Sequence, residues 1–259
     1  MRLCLETVAV ALSMFSAIPM PSVLWNERNM RYALCAFPLV GVIIALLWWG
    51  AVVLCELLGL PVMLRAAILC LIPVFVTGGI HLDGYADTCD ALASHASPER
   101  RQEILKDPRC GAFAVIWLCS YFVGYFALCG AFIPEKKALL CIGLSFILSR
   151  ALSGLCVVSL SGAKNTGLAH GFAVAAEKRT VQILLGALTV FLCAALFITD
   201  GLISICMILT AGGSLLCCVH TARTKFGGWS GDLAGWFLQK TEFWMLASIV
   251  FASYVKPLL

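Results

Sequence analysis

Residues 33–57 read ALCAFPLVGVIIALLWWGAVVLCEL, and Glu56 is the only charged side chain in this run. At 1.5 Å per residue, a helix of this length extends about 37 Å, enough to cross the roughly 30 Å hydrocarbon core of a bilayer with some tilt. A backbone in lipid must satisfy its own hydrogen bonds, so we predict a membrane-spanning helix here.

Further apolar runs fill most of the chain, at about 3–19, 62–80, 111–133, 138–160, 181–199, 201–219 and 242–255. The 259 residues are 61% hydrophobic and 12% charged, with a mean hydropathy of +0.97. Soluble domains carry about 25% charged residues, so the composition excludes a soluble globular protein. It predicts one all-α polytopic integral membrane bundle over residues 1–259, with about six to eight membrane helices. The first run contains Glu6 and is interpreted as a retained spanning or re-entrant helix rather than a signal peptide.

The charges and cysteines exclude other classes. The net charge of +4 comes from scattered residues, which argues against a nucleic acid partner. Most of the fourteen cysteines lie singly inside apolar runs and no C-x-x-C occurs, so we interpret them as packing residues rather than disulfides or zinc ligands.

If the second to seventh runs each cross once, two sets of connections follow. One face receives residues 21–32, 81–110, 161–180 and 220–241, and the other receives residues 58–61, 134–137 and Asp200. Twelve of the eighteen basic residues lie in the first set. The positive-inside rule therefore predicts that the first face is cytoplasmic.

The most informative polar segment is Gly78–Asp90, which reads GGIHLDGYADTCD. Asp83, Asp87 and Asp90 are spaced i, i+4 and i+7, so on a helix they share one face. Carboxylates about 6 Å apart repel by roughly 3 kcal/mol at an effective dielectric near 20, so a sheltered face of this kind favours a cation. Three hard oxygen donors without neighbouring His or Cys ligands suit Mg²⁺ or Mn²⁺ better than zinc, which predicts a catalytic metal site.

Complementary charge follows in Lys106-Asp107-Pro108-Arg109-Cys110-Gly111, just before the next apolar run. Lys106 and Arg109 are suited to a diphosphate, with Asp107 beside them. Gly111 permits close backbone approach near a helix N-terminus, where the helix dipole favours anions. Residues 81–110 are therefore interpreted as an active-site loop. The simpler alternative is that Asp83 caps a helix and the other charges face water or anchor the membrane interface.

A second polar segment, Arg223–Gly235, reads RTKFGGWSGDLAG and has four glycines in its last nine residues. Such a turn is suited to cradling an anion or a flat ring, although a glycine hinge between helices is the alternative. Asp232 is another candidate metal ligand or base. The candidate binding residues here are Gly227, Gly228, Ser230 and Asp232.

Arg150 lies near the middle of an apolar run. An ionisable group inside a membrane helix indicates a functional or paired role, so Arg150 either faces the acidic site or forms a salt bridge with a neighbour.

Taken together, these motifs resemble the cobalamin synthase (adenosylcobinamide-GDP ribazoletransferase) family of membrane enzymes, which close the nucleotide loop of vitamin B12. The resemblance covers nearly the whole chain, and its most specific part is the pattern G-G-x-H-L-D-G-x-A-D-T-x-D at Gly78–Asp90. Further matches are K-D-x-R-x-G at Lys106–Gly111, Ala11–Pro19, Ser149-Arg150, Gly167-Leu168 and the glycine turn Gly227–Asp232. The departures are Ala91, Ala114, Ser230 and Trp236, none of which removes a charged or hydroxyl group.

The resemblance implies transfer of the adenosylcobinamide-phosphate group from adenosylcobinamide-GDP to α-ribazole or its 5′-phosphate, with release of GMP. It implies Mg²⁺ held by the three aspartates across the diphosphate, with Lys106 and Arg109 neutralising charge. His81 or Asp232 is then a candidate base for the attacking ribose hydroxyl. The expected location is the cytoplasmic (inner) membrane of a bacterium or archaeon, where other cobalamin-pathway enzymes are possible partners.

Two other classes remain as alternatives. CDP-alcohol phosphotransferases also use clustered aspartates at the membrane edge, but their pattern is Asp-Gly-x-x-Ala-Arg, whereas Asp87 follows Ala86 here. A secondary transporter would use Arg150 and the polar loops for coupling, yet transporters usually bind at the midplane in broken helices.

Overall fold

The computed structural model describes residues 2–163 and 168–256, and these ranges contain no β-strand. Gly167, part of a motif noted above, and the basic residue Lys164 lie outside them. The helices are α1 (Arg2–Phe15), α2 (Glu27–Met30), α3 (Ala33–Ala36), α4 (Pro38–Leu57), α5 (Val62–Thr77), α6 (Ile80–Ala93), α7 (Pro98–Ile104), α8 (Ala112–Ala131), α9 (Lys136–Ser159), α10 (Leu168–Ala175), α11 (Lys178–Thr199), α12 (Gly201–Lys225) and α13 (Gly231–Val255). The predicted all-α class is confirmed.

Within the described residues, five helices are long and apolar enough to cross a membrane: Ala33–Leu57, which combines α3 and α4, and α8, α9, α11 and α12. The pair α5 and α6 meets the same criterion jointly as a broken span, bent by 95°. These six segments coincide with the second to seventh apolar runs of the sequence, which is the lower end of the predicted number. Helix α1 has 14 residues and is too short to span.

Gly78 and Gly79 produce the sharp bend between α5 and α6. Their φ angles are +63° and +80°, a left-handed conformation that glycine adopts without steric penalty. The chain therefore turns through 95° and continues as α6, so the segment interpreted as an active-site loop begins as a helix. Much of residues 81–110 is helical, because α6 is followed by α7.

Helix α6 is amphipathic, which explains its position in the bundle. Leu82, Tyr85 and Cys89, spaced i, i+3 and i+7, are all buried against the core. This spacing leaves the aspartates on other parts of the helix circumference. A helix of this kind packs its apolar face against the core, and its carboxylates lie in more polar surroundings.

Helices α6 and α13 cross closely at two glycines. A Cβ atom on Gly84 would lie 2.8 Å from the Asp232 carbonyl oxygen, and one on Gly235 would lie 2.8 Å from the His81 carbonyl oxygen. Small residues permit this approach between membrane helices. The crossing therefore fixes Asp232 beside the helix that carries the other aspartates.

The four connections that were predicted to share a face do lie together. Three hydrogen bonds join them, from the Glu177 N–H to the Arg31 carbonyl (3.2 Å), from the Gln102 amide to the Phe226 carbonyl (2.7 Å) and from the Ala163 N–H to the Trp229 carbonyl (2.8 Å). At the opposite end, Lys256 forms an ion pair with Asp200 at 2.6 Å. The polar segments identified in the sequence thus meet at one end of the bundle.

Candidate active site

Two neighbouring cavities open at this polar end. The first, which we call the aromatic cavity, has a volume of about 600 Å³ and is lined by residues that include Phe15, Phe37, His81, Phe172, Trp229 and Asp232. The second, the aspartate cavity, has a volume of about 710 Å³ and is lined by residues that include Gly78, Gly79, Asp83, Asp87, Lys106 and Arg109. Asp83 and Lys106 line both cavities and therefore lie where the two meet.

The three aspartates of α6 have different surroundings. Asp83 and Asp87 line the aspartate cavity, whereas the Asp90 carboxylate accepts a hydrogen bond from the Ala114 N–H at 3.3 Å. A Cβ atom on Gly111 would overlap both carboxylate oxygens of Asp90. Asp90 therefore sits against the N-terminus of α8, where the helix dipole favours a negative charge.

Asp232 joins the acidic group from the other side. Asp87 lies within the electrostatic influence of Asp83, Asp90 and Asp232. Clustered like charges raise the energy of the site unless a cation offsets them. The negative end of the aspartate cavity therefore favours a bound cation.

Among residues 2–163 and 168–256, no three His, Cys, Asp or Glu side chains are grouped closely enough to form a protein-only metal cage. Magnesium is usually held by one or two carboxylates together with substrate phosphates, so such a cage is not required. Asp83 and Asp87, the hard oxygen donors on the wall of the aspartate cavity, fit this binding mode.

The basic loop before α8 contains a preformed fork. Arg109 donates from Nε and Nη2 to the two carboxylate oxygens of Asp107, at 2.9 and 2.7 Å, and its backbone N–H also donates to Asp107. These hydrogen bonds lower the pKa of Asp107 to about 2. Asp107 thus holds Arg109 in place, and both residues, with Lys106, line the aspartate cavity.

The glycine turn is shaped by a contact with another loop. Gly227 and Gly228 have φ angles of +71° and +154°, and a Cβ atom on Gly228 would lie 2.6 Å from the Ala163 nitrogen. An isolated β-bridge pairs Gly162 with Trp229. The two glycines are not among the residues that line the two cavities, so here they permit close contact between loops.

The residues after these glycines do reach a cavity. The Ser230 side chain caps α13 by accepting a hydrogen bond from the Leu233 N–H at 3.3 Å. Ser230 and Asp232 both line the aromatic cavity. The start of α13 therefore contributes to the candidate site.

Of the two roles predicted for Arg150, the structure shows the salt bridge with a neighbour and not an orientation toward the acidic site. Its Nη1 forms an ion pair with Glu242 at 2.6 Å and donates to the Phe146 carbonyl at 2.8 Å. Ser149 also donates to Glu242, at 2.8 Å. Arg150 is 1% exposed and is not among the residues lining the two cavities.

Sequence reasoning missed Glu242 and the aromatic wall of the first cavity. The signal for Glu242 was available, because a charge inside a membrane helix requires a partner and Glu242 opens the last apolar run. Phe15, Phe37 and Phe172 carry no such signal, since isolated aromatic residues in an apolar sequence are compatible with many positions.

Comparison with known proteins agrees with the motifs. A family model described as cobalamin-5-phosphate synthase matches residues 7–250. A protein of Lachnoclostridium phytofermentans named adenosylcobinamide-GDP ribazoletransferase is 41% identical over 254 residues, covering 97% of this chain and 95% of that protein. Proteins of the same name from Clostridium perfringens and Treponema denticola are 34% and 31% identical, covering 94% and 93% of this chain and 96% of each relative.

No solved structure matches the chain at a significant level. The family match extends over nearly the whole chain and includes the aspartate helix, the basic loop and the glycine turn. The resemblance seen in the sequence is thereby confirmed, and the chain belongs to the cobalamin-5-phosphate synthase family.

Proposed function

We propose that this chain transfers the adenosylcobinamide-phosphate group of adenosylcobinamide-GDP to a ribose hydroxyl of α-ribazole or α-ribazole 5′-phosphate. The new bond joins the hydroxyl oxygen to the phosphorus that carries the cobinamide. The bond from that phosphorus to the bridging oxygen breaks, and its electron pair leaves with GMP. The hydroxyl proton passes to a base on the protein. Family membership and the names of the relatives support this assignment.

The observation that carries the proposal is the meeting of two cavities at Asp83 and Lys106. A transfer between two large substrates requires two adjoining sites with the reacting groups at their junction. A carboxylate and an ammonium group at that junction are suited to a phosphoryl group, whose charge must be offset while the nucleophile approaches.

The residues divide into roles by their location. Lys106 and Arg109 bind the diphosphate oxygens and offset the charge that develops on the departing GMP. Asp83 and Asp87 would hold Mg²⁺, or Mn²⁺, which when bound neutralises phosphate charge and orients the diphosphate. Asp107 keeps the Arg109 fork in position for this contact.

Two side chains on the wall of the aromatic cavity are candidates for the base. His81 is 7% exposed, and its Nε2 has no hydrogen-bond partner in the described part of the chain. Asp232 lines the same cavity from the start of α13. Either group accepts the hydroxyl proton only when it is within hydrogen-bonding reach of that hydroxyl.

The test uses purified protein in detergent with both substrates, with GMP and cobamide formation measured by mass spectrometry with and without Mg²⁺. We expect product without any membrane gradient, and its absence with every divalent cation would overturn the assignment. A requirement for a gradient would favour a transporter.

Asp83→Asn is expected to lower the rate by at least about a hundredfold. Its matched control is Glu56→Gln, an exposed carboxylate at the other end of the bundle.

We further propose that the polar end of the bundle faces the cytoplasm of a bacterial or archaeal cell. The concentration of basic residues in its four connections supports this orientation under the positive-inside rule. Cysteine-accessibility labelling in intact cells tests it, because Cys110 is an exposed residue of the basic loop. Labelling of Cys110 by a membrane-impermeant reagent before cell lysis would contradict the orientation.

A further inference from the structure

We propose that the aromatic cavity is the acceptor subsite: it takes the flat benzimidazole-type ring and the ribose of α-ribazole, while the aspartate cavity takes the nucleoside diphosphate donor. This inference rests on the proposed function. It assigns each substrate to one of two cavities and identifies side chains that distinguish the free acceptor from its 5′-phosphate.

The first support is a continuous set of aromatic rings. The rings of Trp25, Phe172, Phe15, Phe37 and His81 contact one another in that order, with centroid distances of 5.8, 5.5, 4.3 and 5.6 Å. Four of these five rings line the cavity. A flat heterocycle gains offset-stacking and edge-to-face contacts with such a wall. Among the residues that the structure describes, Phe122 is the only aromatic residue that lines the aspartate cavity.

The second support is a pair of buried polar groups that lack partners. The indole Nε1–H of Trp229 and the Nε2 of His81 have no hydrogen-bond partner within residues 2–163 and 168–256. Trp229 and His81 are 5% and 7% exposed, and both line the aromatic cavity. An unmade hydrogen bond of a buried group costs about 1–3 kcal/mol, which favours a polar ligand here. A ribose hydroxyl group or a ring nitrogen atom of the acceptor supplies the missing partners.

The cavity volume of about 600 Å³ suits one nucleoside-sized ligand, since small-molecule sites typically measure about 300–1,000 Å³. A benzimidazole nucleoside is apolar at its ring and polar at its ribose. The lining offers both kinds of surface, because it contains phenylalanine rings as well as Ser230, Asp232 and His81. The ribose therefore lies toward Asp83 and Lys106, where the two cavities meet.

The third support concerns the acceptor phosphate. Lys178 and His170 also line the aromatic cavity, and neither residue lines the aspartate cavity. Lys178 is exposed at the start of α11, so its ammonium group is hydrated until a ligand arrives. We assign these two side chains to the 5′-phosphate of the phosphorylated acceptor. Arg179, the next residue, is equally basic and does not line the cavity.

The experiment compares steady-state constants for the donor, α-ribazole and α-ribazole 5′-phosphate in matched variants. Trp229→Phe removes the indole N–H and makes the ring smaller, and it is expected to raise the KM of both acceptors by about three- to tenfold, with the donor KM unchanged. The control is Trp236→Phe, because Trp236 is a buried indole outside the cavity.

Lys178→Ala should raise the KM of the 5′-phosphate by about tenfold and that of free α-ribazole little, whereas Arg179→Ala should change neither.

The outcomes separate the subsite from the reaction. If the wild-type protein forms no cobamide, the proposed function fails. If it forms cobamide but the variants raise the donor KM, or leave every acceptor KM unchanged, the subsite assignment is overturned while the function stands. Because Lys178 is exposed, its variant remains informative if Trp229→Phe does not fold. Titration calorimetry with α-ribazole alone gives a check without turnover: the Kd should rise in Trp229→Phe and stay constant in Trp236→Phe.

Discussion

Arg150 on α9 and Glu242 on α13 form an ion pair of 2.6 Å in which each side chain is 1% exposed. Ser149 adds a second hydrogen bond to the same carboxylate oxygen. A buried pair of this kind costs desolvation free energy when it forms, but removing one partner strands the other charge. The pair thus ties α9 to α13, the helix whose N-terminal end contributes Ser230 and Asp232 to the site.

Glu242→Gln is expected to lower the free energy of unfolding by about 3–5 kcal/mol, because Arg150 is left buried without a counter-ion. The measurement is thermal unfolding in detergent, followed by loss of the monodisperse peak in size exclusion. A double variant, Arg150→Met with Glu242→Leu, should cost less than Glu242→Gln alone. The cycle also needs Arg150→Met and Glu242→Leu as single variants, and a double-variant cost equal to the sum of these two single costs would contradict a coupled pair. Substrate KM values in the folded fraction should stay close to wild type.

The crossing of α6 and α13 at Gly84 sets the position of Asp232. A methyl group on Gly84 would meet the Asp232 backbone at 2.8 to 2.9 Å, so Gly84→Ala must separate the two helices. We expect a loss of about 1–3 kcal/mol in stability together with a reduced transfer rate. Gly186→Ala is the matched control, because nothing lies within 4 Å of that position. Full activity in Gly84→Ala would show that this close approach is dispensable.

Much of the fold was predictable because lipid imposes simple rules. Six apolar runs of the right length correspond to the six candidate spans, and their parity placed the four polar connections at one end. The bend after α5 was not predicted. Gly78 and Gly79 were assigned to a motif, but a sequence does not reveal that two consecutive glycines adopt positive φ angles.

The candidate site was predictable in its chemistry and less so in its geometry. The spacing of Asp83, Asp87 and Asp90 correctly places them on one helix. It does not predict that their side chains have different surroundings, which depend on the neighbouring helices. Asp90 meets the N-terminus of α8, and Asp232 arrives from a segment more than a hundred residues away. Such contacts depend on how helices cross, which local periodicity does not determine.

The pair formed by Asp107 and Arg109 predicts a defined pH dependence. The folded pKa of Asp107, about 2, lies below its ordinary value, so its favourable contribution is present above about pH 4 and is lost as pH falls through 2. NMR titration of the Asp107 carboxyl carbon should give this low pKa, and Arg109→Ala should return it to the ordinary range. An unchanged pKa in that variant would mean that Arg109 does not cause the shift.

The same pair predicts a kinetic effect that does not vary near neutral pH. Asp107→Asn releases the Arg109 fork and should raise the donor KM by about three- to tenfold. The increase should be constant between about pH 5 and pH 9, because Asp107 is fully ionised throughout that range. Arg109→Lys keeps the charge but not the bidentate geometry, so it should resemble Asp107→Asn more than wild type. If these variants raised the acceptor KM instead of the donor KM, Arg109 would contact the acceptor and its assignment to the donor would be wrong.

The different surroundings of the aspartates predict different responses to Mg²⁺. Asp83→Asn and Asp87→Asn each remove a negative charge and one carboxylate oxygen from the cavity wall, and each should raise the Mg²⁺ concentration needed for half-maximal GMP release by at least about tenfold. Asp90→Asn removes the negative charge at the N-terminus of α8 and should cost up to about 2 kcal/mol in stability with little change in Mg²⁺ dependence. The increase in Tm on adding Mg²⁺ in the presence of the donor substrate gives a second readout, because a ligand that binds the folded state stabilises it. The contrary result is that Asp90→Asn changes the Mg²⁺ dependence and the Tm increase as strongly as Asp83→Asn does. That result would show that all three aspartates bind the metal, and it would contradict the separate role given to Asp90.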